Sequence, residues 1–264
     1  MSDEEATMKV AVAGGTGVTG RYVVEMLTAA GHEPVVLARS TGVDLVSGAG
    51  LDAALDGVDA TIDVSNVTTL KRDVAVGFFD TAGRNLLGAA ARAGVRHHVA
   101  LSIVGIDRVK TGYYQGKLRQ EEVVRDGSVP WSVLRATQFH EFAGQLLDRT
   151  PGPVALVPRL TVQPIAVREV AEALVAIVDG GPQGAVPDLA GPRMESLVDM
   201  ARRLIRAGGS RRRPVVPLWL PGPMAERRSA AHRPRSEGYA DVRAVARRQR
   251  FARRSPGGGA VRYR

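Results

Sequence analysis

The sequence contains no cysteine and only five histidines. Without thiols, disulfide bonds, thiolate metal sites and cysteine nucleophiles are excluded. The histidines include no pair at the i, i+4 spacing that zinc enzymes place on a helix, so no metal site is expected. The N-terminal segment is acidic, and the apolar run after it is too short for a signal peptide or a membrane span. The sequence therefore predicts a cytoplasmic protein that does not enter a membrane.

The net charge of +9 is concentrated at one end of the chain. Residues 225–264 contain 12 arginines against three acidic residues, whereas residues 1–200 carry a small excess of acidic residues. A polybasic segment can bind nucleic acid by releasing counterions, but this one has no zinc pattern and no recognisable reading helix. We therefore do not expect a nucleic-acid partner. A solvated, disordered tail and a terminus altered by a shifted reading frame both remain open.

Short apolar runs alternate with helical patterns over the first half of the chain. Strands are predicted at residues 10–13, 34–38, 60–64, 98–102 and 131–135, and helices at 21–30, 51–55, 79–93 and 113–125. Strands that alternate with helices of this length imply βαβ units with right-handed crossovers. The predicted fold class is α/β, a doubly wound parallel sheet of the Rossmann type.

The alternation loosens after Thr137. Apolar runs follow at 154–157 and 161–166, helices at 167–178 and about 194–207, and a further segment at 186–191. In doubly wound folds, such late segments usually cover the carboxyl edge of the sheet, where the ligand lies. We expect residues 1–224 to form the nucleotide-binding domain, with 138–224 as a small substrate-covering subdomain, and 225–264 to be a disordered tail.

The glycine-rich stretch GGTGVTG, residues 14–20, follows the first predicted strand. It satisfies both the G-x-x-G-x-x-G and the G-x-G-x-x-G spacing. Glycines there permit positive φ and let the backbone approach a pyrophosphate, and the helix that begins at about Val18 presents unpaired N–H groups to the phosphates. A tight structural turn is the alternative. The strand before and the amphipathic helix after favour a dinucleotide site.

The residues at the end of the second predicted strand indicate whether the adenosine ribose of that dinucleotide carries a 2′-hydroxyl or a 2′-phosphate. An NAD site usually has Asp or Glu there, which accepts hydrogen bonds from the 2′-hydroxyl. This chain has Arg39 and Ser40 instead. A guanidinium suits a 2′-phosphate, so NADP(H) is favoured over NAD(H), although Arg39 could also be a solvated loop charge.

A serine, a tyrosine and a lysine are the candidates for catalysis. Ser102 ends a predicted strand, and Tyr113 and Lys117 share one face of the following helix. A nearby ammonium group would lower the pKa of the tyrosine and make it a usable general acid or base, while Ser102 would orient the substrate oxygen. The alternative is an amphipathic helix with its lysine in solvent.

Five segments together resemble an atypical short-chain dehydrogenase/reductase of the NmrA-like NAD(P)H-binding group. They are GGTGVTG, the strand end Asp63-Val64-Ser65-Asn66, LSIVG, GYYQGK and LRATQFHEF, and the resemblance covers about residues 8–220. The resemblance implies roles for individual residues. By this resemblance, the pyrophosphate would be bound by Gly14, Thr16, Gly17 and Val18, and the adenosine ribose or its phosphate by Arg39 and Ser40. Ser65 and Asn66 would lie beside the cofactor, and Lys117 would bind the nicotinamide ribose. Ser102 and Tyr113 would correspond to the serine and tyrosine of reductases that carry out the chemistry.

Two functions follow from these patterns. The first is an NADP-dependent oxidoreductase that transfers hydride between NADP(H) and a small carbonyl, quinone or conjugated substrate. The second is a non-catalytic protein that senses NADP(H), because members of the NmrA-like group vary in keeping the tyrosine. Gln138 and His140 follow the strand at 131–135 and are weak substrate-contact candidates, since a lone histidine is more often a packed or surface residue. Oligomeric state is not readable from the sequence.

Overall fold

The structure is a computed structural model that describes residues 7–69, 71–108, 111–150 and 152–219. The segment 225–264, for which disorder is predicted, lies outside the described residues. Within the described ranges, no helix combines the length and the apolar character that crossing a membrane requires.

The described chain forms strands that match the predicted ones closely in the first half. They are β1 (Lys9–Ala13), β2 (Glu33–Leu37), β3 (Ala60–Asp63), β4 (His97–Ile103), β5 (Trp131–Ala136), β6 (Ala155–Pro158), β7 (Thr161–Val162), β8 (Gly184–Ala185), β9 (Glu195–Ser196) and β10 (Val215–Leu218). Six of them form one parallel sheet in the order β2-β1-β3-β4-β5-β8. The predicted doubly wound α/β fold is therefore confirmed.

Helices cover both faces of this sheet. They are α1 (Val18–Ala29), α2 (Leu51–Ala54), α3 (Arg72–Arg92), α4 (Gly112–Asp126), α5 (Phe142–Arg149), α6 (Val167–Gly180) and α7 (Leu197–Arg206). Successive side chains of a strand point to opposite faces. Val10 and Val12 of β1 accordingly pack in the cluster under α1 and α6, and Ala11 and Ala13 pack in the cluster under α2, α3 and α4.

The predicted start of α3 at about Phe79 is wrong, because the helix begins at Arg72. The added turns contain valines and Gly77, which have low helix propensity and hide the periodicity. Tertiary packing stabilises them instead. Ala75 is fully buried and lies against Gly116 of α4 so closely that a Cβ on Gly116 would be 2.8 Å from the Ala75 carbonyl carbon.

The strand order reverses between β1 and β3, which lie side by side while their following connections run to opposite sides. Ligands of doubly wound sheets bind in the crevice outside the carboxyl ends of the strands at such a switch point. The glycine loop at 14–20 follows β1, and Ser65 and Asn66 follow β3. The topology therefore places both predicted cofactor segments at one crevice.

The chain after β5 forms a second, smaller cluster. Elements α5, α7, β6 and β10 enclose a core of their own, in which Leu147, Val157, Leu197 and Ala201 are buried. Between these elements the chain returns to the main sheet as α6 and β8. The segment predicted at 186–191 contributes no strand, and Leu189 makes an isolated bridge to Ala136.

The contact between α3 and α4 gives a stability prediction. Gly116→Ala should destabilise the fold by about 1–3 kcal/mol, because the new methyl group meets backbone atoms that have little room to move. Gly77→Ala is the matched control: it lies in α3 with open space around it and should stabilise by about 0.5–1 kcal/mol. Urea unfolding measures both. Equal effects of the two substitutions would contradict the close helix contact.

Candidate active site

The loop between β1 and α1 depends on two glycines. Gly14 has a φ of 78°, and a Cβ at this position would lie 2.9 Å from the Cα of Ser65. A Cβ on Gly20 would collide with the Gly14 carbonyl oxygen. Helix α1 can therefore pack down onto the loop, with Gly17 as its N-cap.

The residues expected to hold a pyrophosphate lie at the start of this helix. Thr16, Gly17 and Val18 are exposed, and the amide of Gly17 donates to the carbonyl oxygen of Gly14 at 2.9 Å. The first N–H groups of an α-helix have no partner within the helix and carry the positive end of its dipole. This geometry can bind an anion at the mouth of the crevice.

Arg39 and Ser40 lie in a 3₁₀ turn that directly follows β2. The turn is held by Thr41, whose Oγ1 donates to the Val36 carbonyl oxygen at 2.8 Å. Both side chains of interest are exposed, and within the described ranges neither makes a hydrogen bond or an ion pair. Their polar groups are thus available to a ligand.

The segment after β3 joins the glycine loop to α4. Asp63 Oδ1 accepts a hydrogen bond from the Ser65 amide at 2.8 Å, which turns the chain at the end of the strand. The Ser65 Oγ is buried and has no hydrogen-bond partner among the described residues. An orphaned hydroxyl beside Gly14 fits a site that a polar ligand completes, because buried polar groups are otherwise almost always paired. Asn66 is exposed, and its Oδ1 accepts from Tyr113 Oη at 2.8 Å.

Tyr113 lies in the first turn of α4, with its ring packed edge-on against Phe79 at a centroid distance of 6.1 Å. Burial raises the pKa of Tyr113 to about 12, the neighbouring Tyr114 adds to this, and Arg149 of α5 partly opposes it. The phenol is therefore protonated at neutral pH. Lys117, which the sequence pattern predicts to lower this pKa, is not among the groups that shift it here.

Lys117 is instead directed into the layer between α4 and the sheet. Its Nζ donates to the Leu101 carbonyl oxygen at 2.6 Å and to Gln120 Oε1 at 2.5 Å, and it lies 4.9 Å from the centroid of the Phe79 ring. Gln120 in turn donates from Nε2 to Asp63 Oδ2 at 2.6 Å. Burial lowers the pKa of Lys117 to about 8, although Asp63 and Glu121 act in the opposite direction.

Ser102 belongs to a second buried polar group in the same layer. Its Oγ donates to Glu121 Oε1 at 2.5 Å. Arg135 of β5 donates to both oxygens of that carboxylate, from Nε at 2.8 Å and from Nη2 at 2.7 Å. Arg125 donates to Oε2 at 2.6 Å. The hydroxyl predicted to orient a substrate is thus occupied by an intramolecular bond.

The two weak substrate candidates lie on the backbone that leads to α5. The Gln138 carbonyl oxygen accepts from the Ile165 amide, and the His140 amide donates to the Ile165 carbonyl oxygen. The His140 side chain is exposed and lines an open depression of about 280 Å³ between α5 and α7, with Met200 and Leu204. The residues that line this depression do not include Tyr113, Ser102 or Lys117.

Several residues of the site were not anticipated from the sequence: Asp63 as a bonding centre, Phe79, Gln120, Glu121 and Arg135. Two signals were present. Gln120 and Glu121 follow Lys117 at i+3 and i+4, the positions that neighbour it on a helix. Arg135 also interrupts the mostly apolar run of β5, and a partly buried arginine requires an acidic partner.

A family model described as NAD(P)H-binding matches residues 14–180. A relative from Streptomyces griseus, (4-alkanoyl-5-oxo-2,5-dihydrofuran-3-yl)methyl phosphate reductase, is 32% identical over 218 residues, which cover 76% of this chain and 74% of that protein. Quinone oxidoreductase 2 of Escherichia coli is 25% identical over 230 residues, again covering 76% of this chain and 74% of the relative.

Among solved structures, the NADPH complex of the quinone oxidoreductase QOR2 from Escherichia coli superposes with a TM-score of 0.58. The sequence identity is 22%, and the match covers 80% of this chain and 78% of that one. At this identity the similarity establishes the fold.

The carboxylate of Glu121 gives a pH-dependent stability prediction. Burial alone would raise its pKa, but hydrogen bonds from Arg135 and Ser102 and the charges of Arg135 and Arg125 outweigh burial and hold the pKa below its usual value of 4.5. A depressed carboxyl pKa contributes stability above pH 4.5 that is lost as the pH falls through the folded-state pKa. Arg135→Met should therefore cost about 3 kcal/mol at pH 7, and the difference from the unsubstituted protein should shrink toward pH 4.

Arg125→Met is the control for this prediction. Its guanidinium binds the same carboxylate but is 44% exposed, so its loss should cost less than about 1 kcal/mol. Chemical denaturation at pH 7, 5.5 and 4 compares the variants. A gap for Arg135→Met that stays constant with pH would contradict the assignment of the effect to ionised Glu121.

Proposed function

The chain belongs to the NAD(P)H-binding family of atypical short-chain dehydrogenases/reductases, and from this we propose that it is an NADP(H)-dependent reductase of small conjugated carbonyl compounds. The observation that carries the proposal is the hydrogen bond between Tyr113 and Asn66 at the switch-point crevice. It puts a protonated phenol next to the segment that also borders the glycine loop. A proton donor beside a dinucleotide site is what a reductase requires.

The residues that could bind the cofactor lie in three segments along the crevice, after β1, β2 and β3. The helix start at Thr16 to Val18 would hold the pyrophosphate, and the exposed Arg39 and Ser40 would hold the adenosine ribose with its 2′-phosphate. The orphaned Ser65 hydroxyl would complete the middle of the site. When bound, NADP(H) supplies hydride transfer, and the protein supplies position and proton.

Tyr113 would give its proton to the substrate oxygen as a general acid. Its raised pKa keeps the proton in place at neutral pH, which suits reduction better than oxidation. The ring that carries the phenol packs against Phe79 and the neighbouring Tyr114. Lys117 would act indirectly, because its buried ammonium group fixes α4 against β4 and thereby fixes Tyr113.

The names of the two relatives narrow the substrate class. One reduces a 5-oxo-2,5-dihydrofuran carrying a methyl phosphate, and the other is a quinone oxidoreductase. Both compounds contain a carbonyl group conjugated to a carbon–carbon double bond. We therefore infer a small, conjugated carbonyl substrate for this chain.

One observation favours the second candidate, a non-catalytic NADP(H) sensor. The ammonium group of Lys117 is engaged with Leu101 and Gln120 and does not assist Tyr113. A tyrosine without that assistance is a weaker acid. Turnover, and its dependence on Tyr113, distinguishes the two candidates.

Tyr113→Phe tests the role of the phenol. The ring and its packing on Phe79 are kept while the proton is lost, so kcat with a quinone or a butenolide should fall by about 100-fold or more, with NADPH affinity nearly unchanged. NADPH oxidation and fluorescence titration measure the two quantities. If the unsubstituted protein binds NADPH and oxidises it with no member of a carbonyl and quinone panel, the sensor is favoured.

Arg39→Ala tests the preference for the 2′-phosphate. Loss of a charge-assisted hydrogen bond of about 1.5–3 kcal/mol should reduce the NADPH-over-NADH affinity ratio by roughly 10- to 100-fold. Arg96→Ala is the control, because it removes the same charge from an exposed position that directly precedes β4, at the amino ends of the parallel strands and away from the crevice. An unchanged ratio for Arg39→Ala in fluorescence titrations would refute the assignment.

A further inference from the structure

We propose that Asn66 positions and tunes Tyr113 through the hydrogen bond that its carboxamide oxygen accepts from the phenol. The inference rests on the proposed function, since it concerns the proton that Tyr113 delivers. It assigns to the end of β3 a task in the reaction as well as in cofactor binding.

The hydroxyl of Ser102 is engaged in a buried hydrogen bond. Ser102 is 3% exposed, and its hydroxyl donates to Glu121, a carboxylate whose side chain is itself 1% exposed. Arg135 binds both oxygens of that carboxylate and holds it against the sheet. A hydroxyl has one proton to donate, so Ser102 cannot also donate to a substrate oxygen while this bond exists.

Asn66 has the opposite surroundings. Its side chain is exposed at the crevice, and its Oδ1 accepts the phenolic proton of Tyr113 at 2.8 Å. Within the described ranges, the carboxamide of Asn66 makes no other hydrogen bond. The carboxamide is therefore fixed to the reacting hydroxyl on one side and open on the other.

A carboxamide suits both protonation states of a tyrosine. Its oxygen accepts from the neutral phenol, and its NH₂ group donates to a phenolate once the side chain turns about its last torsion. In a reduction, NADP(H) would supply the hydride to a substrate carbon, and the electron pair displaced onto the substrate oxygen would take the proton of Tyr113. Tyr113 is left as a phenolate, which solvent water reprotonates. Asn66 can follow this change, whereas a carboxylate in its place could only accept.

Of the described groups that face the phenol of Tyr113, Asn66 is the one that can exchange hydrogen bonds with its oxygen. Tyr114 on α4 raises its pKa, Arg149 on α5 lowers it, and α3 contributes the uncharged ring of Phe79. Lys117 is directed away into the layer beneath. Among these described neighbours, Asn66 is the one whose hydrogen bond to the phenolic oxygen is seen.

Asn66→Asp is the decisive substitution because it keeps the size and the acceptor oxygen but removes the donor and adds negative charge. Measured at saturating NADPH, its kcat should fall by about 10- to 100-fold. In protein labelled with fluorotyrosine, whose phenol titrates at lower pH, ¹⁹F NMR should place the Tyr113 pKa at least about one unit above that of the labelled parent. The Tyr113 resonance is assigned by its loss in Tyr113→Phe.

Two further variants separate contact from general effects. Gln115→Glu adds the same charge to α4, two residues from Tyr113, and should leave kcat and the fluorotyrosine titration close to those of the parent. Ser102→Ala should lower the free energy of unfolding, with a loss of kcat well below that of Asn66→Asp.

The outcomes distinguish this inference from the function it rests on. An unshifted ¹⁹F titration in Asn66→Asp would show that the contact does not exist. A shifted titration with unchanged kcat would show that Asn66 only holds the loop. A loss of kcat in Ser102→Ala equal to that in Asn66→Asp would show that Ser102 acts in the reaction and would overturn the assignment to Asn66. Full activity of Tyr113→Phe would overturn the proposed function itself, whatever the titration shows.

Discussion

The ammonium group of Lys117 lies in a nearly dry layer between α4 and the sheet, where a cation is stable only if acceptors surround it. Three groups meet this demand: the Leu101 carbonyl oxygen, the Gln120 carboxamide and, through Gln120, the Asp63 carboxylate. Because these acceptors come from β4, α4 and the end of β3, satisfying one charge ties three elements together. The position of α4 relative to the crevice depends on this network.

Glu121 ties α4 to β5 in the same way, because its buried charge also needs partners. Its carboxylate is paired with Arg135 and with the hydroxyl of Ser102, so the second half of α4 is fixed as firmly as the first. With the helix held from below and from the side of α3, where Ala75 meets Gly116, Tyr113 has little freedom at the helix start. Its hydroxyl then reaches Asn66 beside the orphaned Ser65, at the point where the glycine loop also arrives. On α4, the buried charges of Lys117 and Glu121 therefore face the sheet, whereas the reacting phenol of Tyr113 lies at the start of the helix beside the crevice.

The backbone was largely predictable because its signals are local. An apolar run that ends at glycines locates β1, and each predicted strand up to β5 lies within one residue of the observed one. The start of α3 was missed because its first turns depend on packing against α4, which no local pattern reveals. The direction of Lys117 was missed for the same reason: its charge is balanced by Asp63 through Gln120, a contact between residues 57 positions apart. Motif spacing placed Tyr113 and Lys117 on one helix face, but long-range acceptors decide where each side chain points.

The central claim is that the glycine loop, the end of β3 and the first turn of α4 form one cofactor and reaction site. A crystal structure of the protein with NADPH bound tests this most directly. We expect the pyrophosphate at the start of α1, the 2′-phosphate against Arg39, and the nicotinamide ring beside Asn66 and Tyr113 with room for a substrate between them. A nicotinamide ring remote from Tyr113, or NADPH bound away from the glycine loop, would contradict it.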